Sequence, residues 1–346
     1  MARWMCIVLC LVSLLGCKKK EAEPVAEPTA EELVEPATTT KTELPAKPLA
    51  AEPLQPLPEP EGLNMEKVLL GRALFHDPIL SGDGTLSCAT CHSLDHGGAE
   101  PRKTSKGIKG QLGPINSPTV LNASLNLAQF WDGRAKDLQE QAAGPVANPI
   151  EMGESWENLV KKLEKHPQYK SALEKLYADG VTEANITDAI AEYERSLVTP
   201  SRFDAYLKGD PNAITAEEKA GYETFKEVGC TACHMGVNVG GTMFQKMGLV
   251  NDYFADRGTE ITDADLGRFN VTKRDSDKHF FKVPSLRNVA LTPPYLHDGS
   301  QETLEGTVRI MGKYQLGREL SDEQVNAIVV FLKSLTGELP AHARMP

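Results

Sequence analysis

Cys88-Ala89-Thr90-Cys91-His92 is the stretch from which this chain is best read. Two cysteines two residues apart, followed at once by histidine, form the signature of c-type haem attachment. The spacing has a chemical basis. Both thiols add to the vinyl groups of the macrocycle, and the adjacent imidazole reaches the iron as proximal ligand. Cys230-Thr231-Ala232-Cys233-His234 repeats the pattern. Two such pentapeptides point to two covalent haems, one on Cys88, Cys91 and His92 and one on Cys230, Cys233 and His234. The competing readings are a four-cysteine zinc site and a redox-active dithiol. Paired CxxC zinc sites do not require histidine directly after each pair. A thioredoxin-like dithiol needs only one pair beside a βαβ pattern, which the sequence lacks.

The chain has 346 residues, room for one large or two ordinary domains. With 37 basic and 48 acidic residues its formal charge is -11, which argues against a nucleic-acid partner. The acidity suits a partner with a basic contact surface, such as a small electron-carrier protein.

At the N-terminus, Arg3 precedes an apolar run from Met5 to Leu15, too short to span a bilayer and suited to a signal-peptide core. It ends in Leu14-Leu15-Gly16-Cys17, similar to a bacterial lipoprotein cleavage box, which would make 1–16 a signal peptide and Cys17 the lipidated first residue. A plain secretory signal cut elsewhere and an uncleaved anchor are the alternatives. The location implied is the periplasm, tied to a membrane; Lys18 after Cys17 is compatible with sorting to the outer rather than the inner membrane. The seven cysteines then divide cleanly: Cys6 and Cys10 in the signal, Cys17 for lipid and four for haem. Residues 17–61, rich in Pro, Ala, Glu and Thr, are expected to be a disordered tether, because they offer too little apolar surface to offset ordering entropy.

Order is expected from about Asn64. Val68, Leu69, Ala73 and Leu74 fit a helix face stopped by Asp77-Pro78. Helical patterns recur over 155–177 and 183–197, the second with Ile186, Ile190, Tyr193 and Leu197 in register. Thr215 to Glu218 and Ser321 to Gln324 form capping-box patterns, and Gly337 is expected to close the last helix, which carries Val325, Ile328, Val329, Leu332 and Leu335. Each haem motif follows a helix with Gly-x-x-x-Phe, Gly71 to Phe75 and Gly221 to Phe225. The fold class is mainly α, as two cytochrome c-like haem domains at 62–205 and 206–338 with a tail at 339–346.

Phe130-Trp131-Asp132-Gly133-Arg134-Ala135, Gln141-Ala142-Ala143-Gly144-Pro145 and Asn148-Pro149-Ile150-Glu151-Met152-Gly153 closely resemble the bacterial di-haem cytochrome c peroxidases. Phe281 to Asn288 and Pro294 to Gly299 match as well, so the likeness runs from about residue 64 to 338. It implies a homodimeric peroxidase of two cytochrome c-like domains with calcium between them. Electrons from a small cytochrome c or a cupredoxin would reduce hydrogen peroxide to water. The His92 haem would be peroxidatic and the His234 haem electron-transferring. Met311, by spacing alone no more than a methionine that could equally fill a core, becomes the sixth ligand of the second haem. Trp131 matches the tryptophan between the haems, Glu151 the distal catalytic glutamate and Gln141 the glutamine beside it. Asn116, Thr292 and Pro294 match the calcium ligands. His297 lies near the second haem without an assigned role.

The sequence departs from the pattern at one position. Many relatives carry a histidine that fills the peroxidatic iron's sixth site at rest, and counting from His92 to Gly113-Pro114 places it at Ile108. Isoleucine cannot bind iron, so the first haem is expected to be open without prereduction. His96 stands too close in sequence to His92 to reach the opposite face, and Lys106 and Lys109 are remoter substitutes. Two other functions compete: oxidation of a protein substrate, against which Met311 argues, and plain electron carriage or haem sensing, against which the Glu151 and Gln141 motifs argue.

Overall fold

Asn64 accepts the backbone N–H groups of Glu66 and Lys67 and so starts helix α1, Met65–His76. The computed structural model describes residues 52–345; the expected signal peptide, Cys17 and the expected tether as far as residue 51 lie outside the described residues. The longer helices after α1 are α2 (Leu138–Ala147), α3 (Trp156–Glu164), α4 (Pro167–Leu176), α5 (Glu183–Arg195), α6 (Arg202–Leu207), α7 (Ala216–Val228), α8 (Leu304–Ile310) and α9 (Asp322–Ser334). The two three-residue strands β1 (Phe244–Lys246) and β2 (Phe280–Lys282) pair antiparallel with Gln245 opposite Phe281. The protein is mainly α. Both expected capping boxes form, Thr215 with Glu218 and Ser321 with Gln324.

Several expectations are corrected. The pattern over 155–177 is two helices, because Pro167 has no N–H to continue α3 and instead begins α4. On α1 the buried residues are Val68, Leu70, Gly71, Leu74 and Phe75, while Leu69 is 45% exposed, so the core face is rotated from the expected one. Gly337 is not the cap of α9. A Cβ there would lie 2.0 Å from Thr199 O, so glycine permits a backbone crossing.

The two halves share one plan. α1 crosses α5 at Gly71, where a Cβ would lie 1.8 Å from Ala189 O, and α7 crosses α9 at Gly221, where it would lie 2.1 Å from Ala327 O. The Gly-x-x-x-Phe motif is thus a helix-crossing device, with Phe75 and Phe225 buried one turn on. After each haem motif, Asn122 (φ 59°) and Asn288 (φ 60°) turn the chain, donating backbone N–H bonds to Leu197 O and Leu335 O. Phe130 and Leu296 share positive φ, which makes Trp131 and His297 equivalents. Asn116 N–H bonds His297 O and Lys282 N–H bonds Trp131 O, both at 2.8 Å, so each half closes the other's loop.

The ends of the folded chain exchange halves. Leu54 and Leu57 are buried, Leu54 in the second core, and Leu57 N–H bonds Asp204 Oδ1 at 2.7 Å. Leu54 to Leu57 therefore do not belong to the expected disordered tether, since these leucines bury apolar surface. Residues 339–345 are not a free tail: Ala343 is buried in the first core and its carbonyl accepts from Tyr193 Oη. Leu197 belongs to the first core and Phe203 to the second, so the chain crosses a few residues before the expected 205/206 boundary. Thr199 marks the crossing, its Oγ1 accepting from both Asn122 and Asn288 side chains at 2.9 and 2.8 Å.

Candidate functional site

Ser87 and Thr90 cap the helical turn Cys88–Cys91, which presents both thiols half-buried and unbridged. Burial pushes the Cys88 and Cys91 thiols up to about 12, and the carboxylates of Glu194 and Glu100 respectively push them in the same direction. Thiols held this firmly protonated are the reverse of a reactive dithiol. Nor do the four cysteines converge: among the described residues, the one group of His, Cys, Asp and Glu close enough to hold a metal is Asp265, His297 and Asp298. Arg257 already bridges two of them, donating to Asp265 at 2.8 Å and Asp298 at 3.2 Å. His92 directs Nδ1 to Gly98 O at 3.3 Å, with Ser117 Oγ at 3.4 Å, which leaves Nε2 for iron. Burial lowers the pKa of His92 and keeps the imidazole neutral, as a ligand must be.

The second motif repeats this chemistry. His234 Nδ1 faces Val239 O at 3.3 Å, and burial lowers its pKa to about 4. Cys230, Cys233, His234 and Met311 line one cavity of about 230 Å³. Met311 begins a five-residue π-helical turn, Met311–Gln315, an irregularity of the kind often found at functional positions. In the first half the position equivalent to Met311, measured from the helix caps Asp137 and Thr303, is Pro145. Proline offers no lone pair to iron.

Glu151 instead stands in the turn after α2. Burial raises its pKa, while Arg134 and the Asn148 amide, 2.7 Å from Oε1, oppose that rise. Its carboxylate also pushes the Cys91 thiol up, behind burial and Glu100. Ile108 is buried on the same turn, its N–H bonding Glu151 O at 2.8 Å. A Cβ on Gly153 would lie 2.2 Å from Ile108 Cδ1, and one on Gly107 1.8 Å from Ile150 O. Glycine at both positions lets loop 105–112 seat this closely. Gln141 is half-buried on α2, and its side chain forms no hydrogen bond among the described residues. His96, Lys106 and Lys109 are exposed.

Trp131 lines the second cavity and donates Nε1–H to Asn116 O at 2.9 Å. The next residue, Ser117, bonds Cys91 O and faces His92 Nδ1, so a short covalent and hydrogen-bonded path links Trp131 to the first motif. Edge-on contacts with Phe281 and His297 hold the indole.

Comparison with known proteins gives the family. The family profile described as "Di-haem cytochrome c peroxidase" matches residues 65–212. The chain is 53% identical over 288 residues to cytochrome c peroxidase Ccp of Escherichia coli, covering 83% of this chain and 61% of that protein. It is 50% identical to the cytochrome c551 peroxidase of Nitrosomonas europaea over 84% of this chain and 86% of that one. The chain belongs to the di-haem cytochrome c peroxidase family. A solved MauG-like protein associated with microbial copper homeostasis superposes with a TM-score of 0.72 at 27% identity, over 85% of this chain and 95% of that one. The chain thus spans less than two thirds of the Escherichia coli relative's length.

The residues fit what a di-haem cytochrome c peroxidase must hold. Each motif offers two unbridged thiols and a histidine whose Nδ1 faces a backbone carbonyl, and the second adds a thioether. For the expected calcium, the three residues would offer oxygen donors, the kind a hard cation takes. Asn116, Thr292 and Pro294 line the same cavity. The Asn116 amide nitrogen is spent on Arg102 O and Lys103 O, leaving Oδ1 for a cation.

Sequence reasoning missed three buried charges. Glu194, 4% exposed beside Cys88, has its pKa raised to about 8 by burial. Its signal was a carboxylate in step with Ile186 and Ile190 on the apolar face of α5. Glu100 is buried near Cys91 with Oε2 unpartnered, and nothing in its loop sequence marks it. Lys282 was hidden inside the matching motif. Among the described residues no helix is long and apolar enough to cross a membrane.

Proposed function

We propose that this chain reduces hydrogen peroxide to water with electrons from a small cytochrome c or cupredoxin, and does so without prereduction. The observation that carries this reading is the asymmetry of the two sites: a thioether at Met311 in the second, and Pro145, Ile108 and the half-buried Glu151 in the first. When bound, the haems supply the iron at which peroxide is held and the electrons that cleave it. Glu151 takes a proton from the nearer peroxide oxygen and returns it to the departing one, for which a raised carboxylate pKa is suited. Asn148 orients that carboxylate, and Gln141 hydrogen-bonds peroxide or water. Trp131 lies on the route between the haems, and calcium on Asn116, Thr292 and Pro294 holds the two halves in register. Lipid on Cys17 ties the protein to the periplasmic face of a membrane, and two copies assemble as a homodimer.

Electron paramagnetic resonance of the fully oxidised protein tests the central point. One high-spin and one low-spin iron are expected, with peroxide consumed at once on adding reduced donor. Two low-spin irons and a lag until prereduction would sink it.

A further inference from the structure

Lys282 is the last residue of β2, 6% exposed, and lines the cavity that holds Cys230, Cys233, His234 and Met311. No other Asp, Glu, Lys or Arg lines that cavity among the described residues. Its N–H is fixed on Trp131 O, but its ammonium has neither a hydrogen bond nor an ion pair among the described residues. Burial without a partner lowers its pKa to about 8. A buried ammonium is costly unless an anion meets it. The equivalent position in the first half is Asn116, a neutral amide, so the charge is peculiar to the second site.

We propose that Lys282 is the fixed counter-charge of the second haem: its ammonium pairs with a haem propionate and holds that haem's reduction potential up. The inference rests on the second motif holding haem. A propionate entering this otherwise uncharged cavity requires a cationic partner, and Lys282 is the one present. A positive charge beside the macrocycle favours the reduced state, because reduction removes one positive charge from the iron. Lys282 touches no peroxide. It sets the potential at which electrons are received.

The test uses holoprotein with Lys282→Met and Lys282→Arg. Haem is first counted by pyridine haemochrome; a single haem per wild-type chain would overturn the haem reading and this inference with it. With two haems, potentiometric titration follows the second through its sulfur-to-iron charge-transfer band. In Lys282→Met its midpoint is expected to shift negative and to become pH-dependent near neutrality, as the unpaired propionate takes up a proton on reduction. Lys282→Arg stays near wild type, and the first haem moves in neither. A wild-type midpoint in Lys282→Met overturns the proposal. Redox-difference infrared spectra of the unsubstituted holoprotein decide the matter should Lys282→Met not load haem. No protonated-carboxyl band is expected on reducing the second haem, and its appearance at neutral pH overturns the pairing.

Discussion

Leu121 and Arg287 occupy the same place in the two halves, each just before an asparagine with φ near 60°, yet one is apolar and the other a fully buried cation. Arg287 donates Nη1 to Asp204 at 2.8 Å, Nε to Val237 O and Nη2 to Gln55 O, clasping the N-terminal strap, α6 and the second haem motif. Leu121 simply joins the first core. The same contrast recurs at Pro145 and Met311, Asn116 and Lys282, and Trp131 and His297. Positions that set backbone geometry are shared between the halves. Positions that line the cavity of the second motif or carry charge have diverged. On the proposed function, a repeated scaffold thus holds one site that receives electrons and one that moves protons.

That contrast can be broken or sharpened by measurement. The largest effect is expected at the proton-moving site. Glu151→Gln should lower peroxide turnover by about 10²–10⁴-fold with both haems attached and the second midpoint unchanged; a near-normal rate would remove Glu151 from the chemistry. Next comes the clasp. Arg287→Met leaves Asp204 buried and unpaired, and breaking such a pair costs about 3–5 kcal/mol. Denaturant unfolding should show this loss, whereas Leu121→Met, a nearly volume-conserving change, should cost less than about 1.5 kcal/mol.

The shared scaffold gives a smaller, paired effect. Gly71→Ala and Gly221→Ala each drive a methyl into a facing carbonyl, an overpacking worth about 1–3 kcal/mol. The two losses should be similar, and strongly unequal values would count against a common plan. The smallest effect is a pH shift. Glu151 must be ionised to accept a proton, and burial raises its pKa, so the acid limb of the rate profile should lie above the ordinary glutamate value. The Asn148 hydrogen bond opposes that rise. Asn148→Ala should therefore move the limb to higher pH, and a limb unmoved or moved down would detach it from Glu151.

The sequence by itself determined the haem motifs, the capped helices and the mainly α class. These follow from interactions within a few residues: two thiols and an imidazole at fixed spacing, a serine or threonine accepting an N–H three residues on, an apolar stripe at helical period. It also hinted at duplication, since Gly-x-x-x-Phe recurs, but did not reveal what the glycine is for. Only the tertiary structure decided that these glycines are helix crossings, that Leu54 and Ala343 sit in each other's halves, and that Asn116 and Lys282, or Pro145 and Met311, are counterparts. The physical reason is distance along the chain. Leu57 meets Asp204 and Tyr193 meets Ala343 through contacts separated by well over a hundred residues, and no local pattern carries such pairings. Lys282 is the sharpest case: nothing in its short strand beside two phenylalanines marks it as buried, yet it is 6% exposed and lines the cavity of the second haem motif.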